Sequence, residues 1–105
     1  MKNDVAFSEE NEVLTAHLSG EIDHHVAKGM REGIDARIFA SKPTVLVLDF
    51  SGIKFMDSSG IAMIIGRHEI CASLNIALRL SGLSETLKKL LRLSGVERLK
   101  NLTLI

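Results

Sequence analysis

The chain has 105 residues, of which 46% are hydrophobic and 25% charged, and its 13 basic and 13 acidic residues leave no formal net charge. This length and composition predict one globular domain over residues 1–105, and the balanced charge, with Phe as the only aromatic residue type, argues against a nucleic-acid-binding protein. The longest apolar run, Ile61 to Ile65, is far shorter than the roughly 20 residues of a membrane span, and the single Cys71 excludes an internal disulfide and indicates a cytoplasmic location.

The N-terminal residues have the pattern of a β-hairpin. Residues 5–8 predict a weak first strand, and residues 9–11 a turn. Residues 13–18 then alternate between apolar and polar side chains, which predicts a half-buried second strand. We expect residues 19–23 to form a loop after that strand.

A helix and a strongly apolar strand follow the predicted hairpin. Asp23 is a favoured N-cap residue, and apolar residues recur at every fourth position from Val26 to Ile38, which predicts a helix ending near Ala40. The strand predicted at 44–50 contains an unbroken apolar run, and we expect helices to cover both of its faces.

The second half of the chain continues the alternation of helices and strands. Apolar periodicity predicts a helix at 59–73, a strand at 75–80, a helix that begins after Ser84 and ends at Gly95, and a short strand at 102–105. The whole order predicts an α/β fold: a mixed β-sheet with α-helices, in which an N-terminal β-hairpin precedes alternating α and β elements.

The segment Asp57-Ser58-Ser59-Gly60 lies between the strongest strand and an apolar helix. In an open α/β sheet, binding sites lie beyond the carboxyl ends of the strands, and a helix N-terminus tolerates an added negative charge. Helix capping alone would also explain these residues, since Asp and Ser are both favoured caps. Capping needs only one side chain, and the segment supplies three, which favours a functional role.

Two chemical alternatives remain beside this interpretation. A nucleophilic serine would need a base and an orienting group, and the Gly-x-Ser-x-Gly pattern is absent around Ser58 and Ser59. The histidines lack the spacing of metal ligands, so we expect His24 and His25, on different sides of a helix start, to be solvated or hydrogen-bonded. The sequence therefore predicts no bound metal and no cofactor.

Two segments resemble one known family. Phe55-Met56-Asp57-Ser58-Ser59-Gly60 is similar to the phosphorylation-site signature of the STAS-domain anti-sigma factor antagonists, and Gly20-Glu21-Ile22-Asp23-His24-His25 resembles a second signature, closest to the sporulation members that oppose anti-sigma F factors. Gly66-Arg67 and residues 93–96 also resemble that group.

The resemblance implies a function without catalysis. Proteins of this family bind an anti-sigma factor that is also a serine kinase of the GHKL type, and so release a sigma factor for transcription. The kinase phosphorylates the first serine of the motif, here Ser58, which ends binding, and a PP2C-type phosphatase reverses the change. Any ATP or ADP would belong to the kinase, and we expect the chain alone to be a monomer.

The resemblance also implies a binding surface made of the residues around both signatures and the outer face of the second helix. We expect Ser58 to accept the phosphate and Ser59 to cap the helix. The expected partner-binding residues are Glu21, Asp23, His24, Met56, Asp57, Ser58, Ser59, Gly60 and Arg67. The alternatives are a STAS module of a stress-response pathway or of an anion transporter, and a serine-dependent hydrolase or nucleotide-hydrolysing domain.

Overall fold

A β-hairpin begins the chain in the computed structural model, which describes residues 4–105. Strands β1 (Asp4–Glu10) and β2 (Val13–Ile22) pair antiparallel, and Glu10 lies opposite Val13. The two residues between them, Asn11 and Glu12, have φ angles of 53° and 64°, as the tight turn of a two-residue hairpin requires. The predicted hairpin is confirmed, with its turn at residues 11–12 instead of 9–11.

Three crossover units follow the hairpin. Helices α1 (His24–Ser41), α2 (Ser58–Ser73) and α3 (Glu85–Ser94) alternate with strands β3 (Val45–Met56), β4 (Ala77–Ser81) and β5 (Leu102–Leu104), and a short 3-10 helix occupies Val96–Arg98. The five strands lie in the order β1-β2-β3-β4-β5, and every pair after the first is parallel. The prediction of a mixed sheet in an α/β fold is therefore confirmed.

The core lies on one face of the sheet. Leu46 of β3 pairs with Leu14 and Leu78 in the neighbouring strands, and all three are fully buried. Val47, one residue on, points to the other face and is only partly buried. The expectation that β3 is covered on both faces was wrong. Each crossover returns to the adjacent strand in the same direction, and crossovers of one hand place all their helices on the same side.

Strands β2 and β3 are both longer than predicted. Residues 19–22, which we expected to be a loop, and residues 51–56, which lie beyond the predicted strand, continue the pairing of β2 with β3 through two shifts in register. A Cβ atom on Gly52 would lie 2.7 Å from the carbonyl oxygen of Leu18, so the glycine allows the close approach of the two backbones. These glycine-containing segments are irregularities within paired strands, and they carry the two strands to a common end.

Within residues 4–105, no helix combines the length and the apolar character needed to cross a lipid bilayer.

Candidate functional site

The site is built where β2 and β3 end side by side. Ile22 pairs with Met56, and the backbone N–H of Asp57 donates to the carbonyl oxygen of Ile22 at 3.1 Å. Asp23 and Asp57 are therefore neighbours, each at the junction between a strand and a helix. Glu21, one residue before Ile22, is exposed. The two signature segments, which we expected to share one surface, therefore meet where these strands end.

Both aspartates cap the helices that follow them. The Asp23 carboxylate accepts hydrogen bonds from the backbone N–H groups of His25 and Val26, at 2.9 and 3.0 Å. The Asp57 carboxylate accepts from the N–H of Ser59 at 2.8 Å. The expectation that Ser59 caps α2 was wrong, because Asp57 has the extended backbone of an N-cap (φ −101°, ψ −166°) and the helix begins at Ser58.

Ser58 is the first residue of α2, and its side chain is exposed. Within residues 4–105 its hydroxyl makes no hydrogen bond, because Asp57 already supplies the cap. Ser59, one residue further, is partly buried beside α1. Of the two serines, Ser58 therefore has the more accessible hydroxyl.

Two of the expected contact residues lie beneath this surface. Met56 is 5% exposed, and Gly60 is buried against it so closely that a Cβ atom on Gly60 would overlap the Met56 side chain. Both support the turn from below, which corrects the prediction that they meet a partner. Phe55, the first residue of the expected contact segment at 55–60, is half exposed and remains accessible at this surface.

Arg67 lies inside the domain. Its Nε is 2.7 Å from the Asp35 carboxylate of α1, a guanidinium nitrogen donates to the carbonyl oxygen of Met63 at 3.4 Å, and the residue is 6% exposed. The prediction that Arg67 lies on the outer face of α2 was wrong. A buried guanidinium needs a charged partner, and α1 supplies it.

The two adjacent histidines line different cavities, and that of His24 is a groove between α1 and α2. His24 lines it together with Lys28 and Arg31 of α1, and Ser59 lies on the α2 side. His25 lines a different cavity, towards β1, so the adjacent histidines point to different sides as expected. Their rings meet edge to face, with centroids 5.9 Å apart.

A chain of hydrogen bonds crosses β1, β2 and β3 on the open face of the sheet. Ser8 Oγ lies 3.0 Å from His17 Nε2, and His17 Nδ1 lies 2.9 Å from the Asp49 carboxylate. Burial alone would raise the pKa of Asp49, but hydrogen bonds from the Ser51 backbone and from His17 outweigh it and hold that pKa below its usual value. The sequence analysis missed this cluster because its members are far apart in the chain.

The hydrogen bonds link a serine, a histidine and an aspartate in the same order as in a hydrolase triad. The cluster nevertheless lies in a solvated position and links neighbouring strands. Ser8 stands on the edge strand β1 and is exposed, and the His17 side chain is 45% exposed. A catalytic triad works beside a cleft that binds the substrate and excludes water. The arrangement therefore gives no support to a hydrolase.

The described residues contain neither a candidate metal site nor a reactive thiol. Within residues 4–105, no group of three or more His, Cys, Asp or Glu side chains could hold a metal ion. Burial raises the pKa of the Cys71 thiol to about 11, which keeps it protonated at neutral pH.

Comparison with known proteins agrees with the fold. The sequence matches the STAS domain family over residues 4–104. An anti-sigma F factor antagonist of Lysinibacillus sphaericus is 33% identical over 85 residues, which are 81% of this chain and 73% of the relative.

Two solved structures are similar over nearly the whole chain. The anti-sigma factor antagonist SpoIIAA in its unphosphorylated form has a TM-score of 0.80 at 26% identity, and the match covers 97% of this chain and 88% of the other. The Bacillus cell fate determinant SpoIIAA in its phosphorylated form has a TM-score of 0.73 at 26% identity, with 97% and 91% covered.

Proposed function

The chain belongs to the STAS domain family, and from this membership we propose that it is an anti-sigma factor antagonist controlled by phosphorylation of Ser58. In this proposal the unmodified chain binds an anti-sigma factor that is also a GHKL-type serine kinase, and the sigma factor is released. A PP2C-type phosphatase resets the switch. The chain itself is not an enzyme, and its place is in the cytoplasm, in the regulation of sporulation.

The observation that carries the proposal is the exposed Ser58 hydroxyl at the first position of α2. It lies outside the capping hydrogen bond of Asp57, so a kinase can reach it without opening the fold. A relative of the same fold exists in phosphorylated and unphosphorylated forms, which supports modification as the switch.

The switch acts through charge at the docking surface. Phosphorylation adds about −1.5 to −2 charges at neutral pH, which a helix N-terminus accommodates well. A carboxylate of the partner ~4 Å away would be repelled by about 4 kcal/mol per unit charge at an effective dielectric constant of ~20. About 3 kcal/mol is already enough to weaken binding roughly 100-fold. The partner dissociates while the domain stays folded.

The test combines phosphosite mapping with binding. The chain is incubated with ATP and candidate anti-sigma kinases from its own genome, the modified residue is mapped by mass spectrometry, and affinity is measured by calorimetry. Ser58→Ala should bind and resist modification, and Ser58→Asp should stay folded and bind at least ~30-fold more weakly. Ser59→Ala is the matched control and should still be modified.

Two results would contradict the proposal. Phosphate found on Ser59 alone would reject the assignment of the acceptor. Failure of every anti-sigma kinase to bind the unmodified chain would reject the function, and a STAS module of another signalling pathway would then be the better description.

A further inference from the structure

The groove between α1 and α2 has cationic walls and an apolar floor. It encloses about 250 Å³ and lies directly beside the Ser58–Ser59 turn. His24, Lys28 and Arg31 are spaced so that they share one face of α1, and all three are exposed. The floor consists of the buried side chains of Ala27 and Met63.

Among the described residues, the cations of the groove have no direct ion-pair partner. None of the residues that line it is acidic. Within residues 4–105, neither Lys28 nor Arg31 forms a side-chain ion pair. Asp35, one helical turn from Arg31, interacts with it through charge, but the Asp35 carboxylate is in direct contact with Arg67 at 2.7 Å. The groove therefore presents two permanent cations to an incoming surface.

We propose that this groove receives an acidic segment of the anti-sigma partner. The inference rests on the proposed function and names the chemistry of the docking contact. Carboxylates of the segment pair with Lys28 and Arg31, and its aliphatic carbons pack on Ala27 and Met63. Complementary charge of this kind raises the rate of association and fixes the register of the two proteins.

The same contact explains why Ser58 is an effective place for a switch. Ser59 lines the groove, and Ser58 is its exposed neighbour. A phosphate on Ser58 would stand beside the carboxylates held by Lys28 and Arg31 and would compete with them for the same cations. Phosphorylation then weakens the contact by repulsion of the partner and by neutralisation of the groove.

The first experiment needs no biological partner. The ¹⁵N-labelled chain is titrated with a synthetic hexaglutamate peptide at low salt, and amide shifts are mapped by NMR. We expect shifts clustered at the groove residues of α1 and α2, and a loss of at least about tenfold in affinity for Lys28→Glu and Arg31→Glu. Lys89→Glu, an exposed charge reversal on α3, is the control and should change little. An equal loss of affinity in Lys89→Glu would show only a general attraction of the peptide to positive charge. It would overturn the proposal that the groove is the binding site.

The second experiment uses the anti-sigma kinase that phosphorylates Ser58 in the test above. Lys28→Glu and Arg31→Glu should weaken its binding at least about tenfold and flatten the dependence of affinity on salt, and Lys89→Glu should not. Unchanged binding in both groove variants would overturn the proposed role of the groove, whereas the Ser58 results would still support the proposed function. If no kinase binds the chain, the function fails, and the peptide titration decides whether the groove takes acidic segments.

Discussion

At the scale of single residues, Asp57 determines how α2 begins. Its carboxylate accepts from the Ser59 N–H, whereas the Ser58 hydroxyl makes no hydrogen bond within residues 4–105. We expect Asp57→Ala to lower the free energy of unfolding by about 1 kcal/mol, and Ser58→Ala and Ser59→Ala to change it by less than ~0.5 kcal/mol. Urea unfolding followed by circular dichroism measures this. If Ser59→Ala lowered the free energy of unfolding as much as Asp57→Ala does, Ser59 would be the cap instead of Asp57.

The identity of the cap could not be predicted from sequence because Asp57, Ser58 and Ser59 are all favoured at that position. Only the backbone angles decide, and they place the first helical turn one residue earlier than the apolar periodicity suggested. The exposure of Ser58 follows from that single-residue difference. By contrast, Asp23 and Ser84 were predicted correctly, since each stands alone before its helix.

At the scale of elements, α1 and α2 are joined by an ion pair between the partly buried Asp35 and the buried Arg67. We expect Arg67→Met to destabilise the chain by about 2 kcal/mol, because it leaves a partly buried carboxylate without its cation. Asp35→Asn combined with Arg67→Met should cost less than the sum of the single changes. Chemical denaturation of the four proteins in this double-mutant cycle gives the coupling energy.

A matched control separates this pair from charge loss in general. Arg79 is exposed on β4, and Arg79→Met should change the free energy of unfolding by less than ~0.5 kcal/mol. A fully additive cycle would show that the 2.7 Å contact contributes no coupling. Any weakening of partner binding in Arg67 variants should accordingly track their loss of stability.

The burial of Arg67 and the length of β2 and β3 could not be predicted for the same reason: both depend on contacts between distant parts of the chain. Asp35 is far from Arg67 in the chain, and β2 and β3 extend each other only after they pair. Local patterns identified the helices and the apolar centres of the strands, because those signals are short-range. The serine-containing segments at 19–20 and 51–52 look like loops until the neighbouring strand is present.

At the scale of the whole molecule, one sheet face carries the helices, and the other carries the chain of Ser8, His17 and Asp49. Because the folded pKa of Asp49 is lowered, its stabilising contribution is complete above the unfolded pKa of about 3.9 and is lost as the pH falls through the folded value. We expect Asp49→Asn to cost about 1 kcal/mol at pH 7 and progressively less below pH ~4.

Thermal unfolding from pH 7 to pH 2.5 tests this expectation. The parent and the Asp49→Asn variant should converge in acid, while Glu32→Gln, which removes an exposed carboxylate of α1, should follow the parent throughout. Curves for Asp49→Asn and the parent that stay parallel below pH 4 would show that the ionised carboxylate adds nothing to stability.

The free hydroxyl of Ser58 has a consequence for speed. Within residues 4–105, no hydrogen bond of Ser58 must break before a group is attached there, and none must re-form after the group leaves. The rate of such a cycle would be set by the enzymes that add and remove the phosphate. The same molecule could then bind again without any rearrangement of its fold.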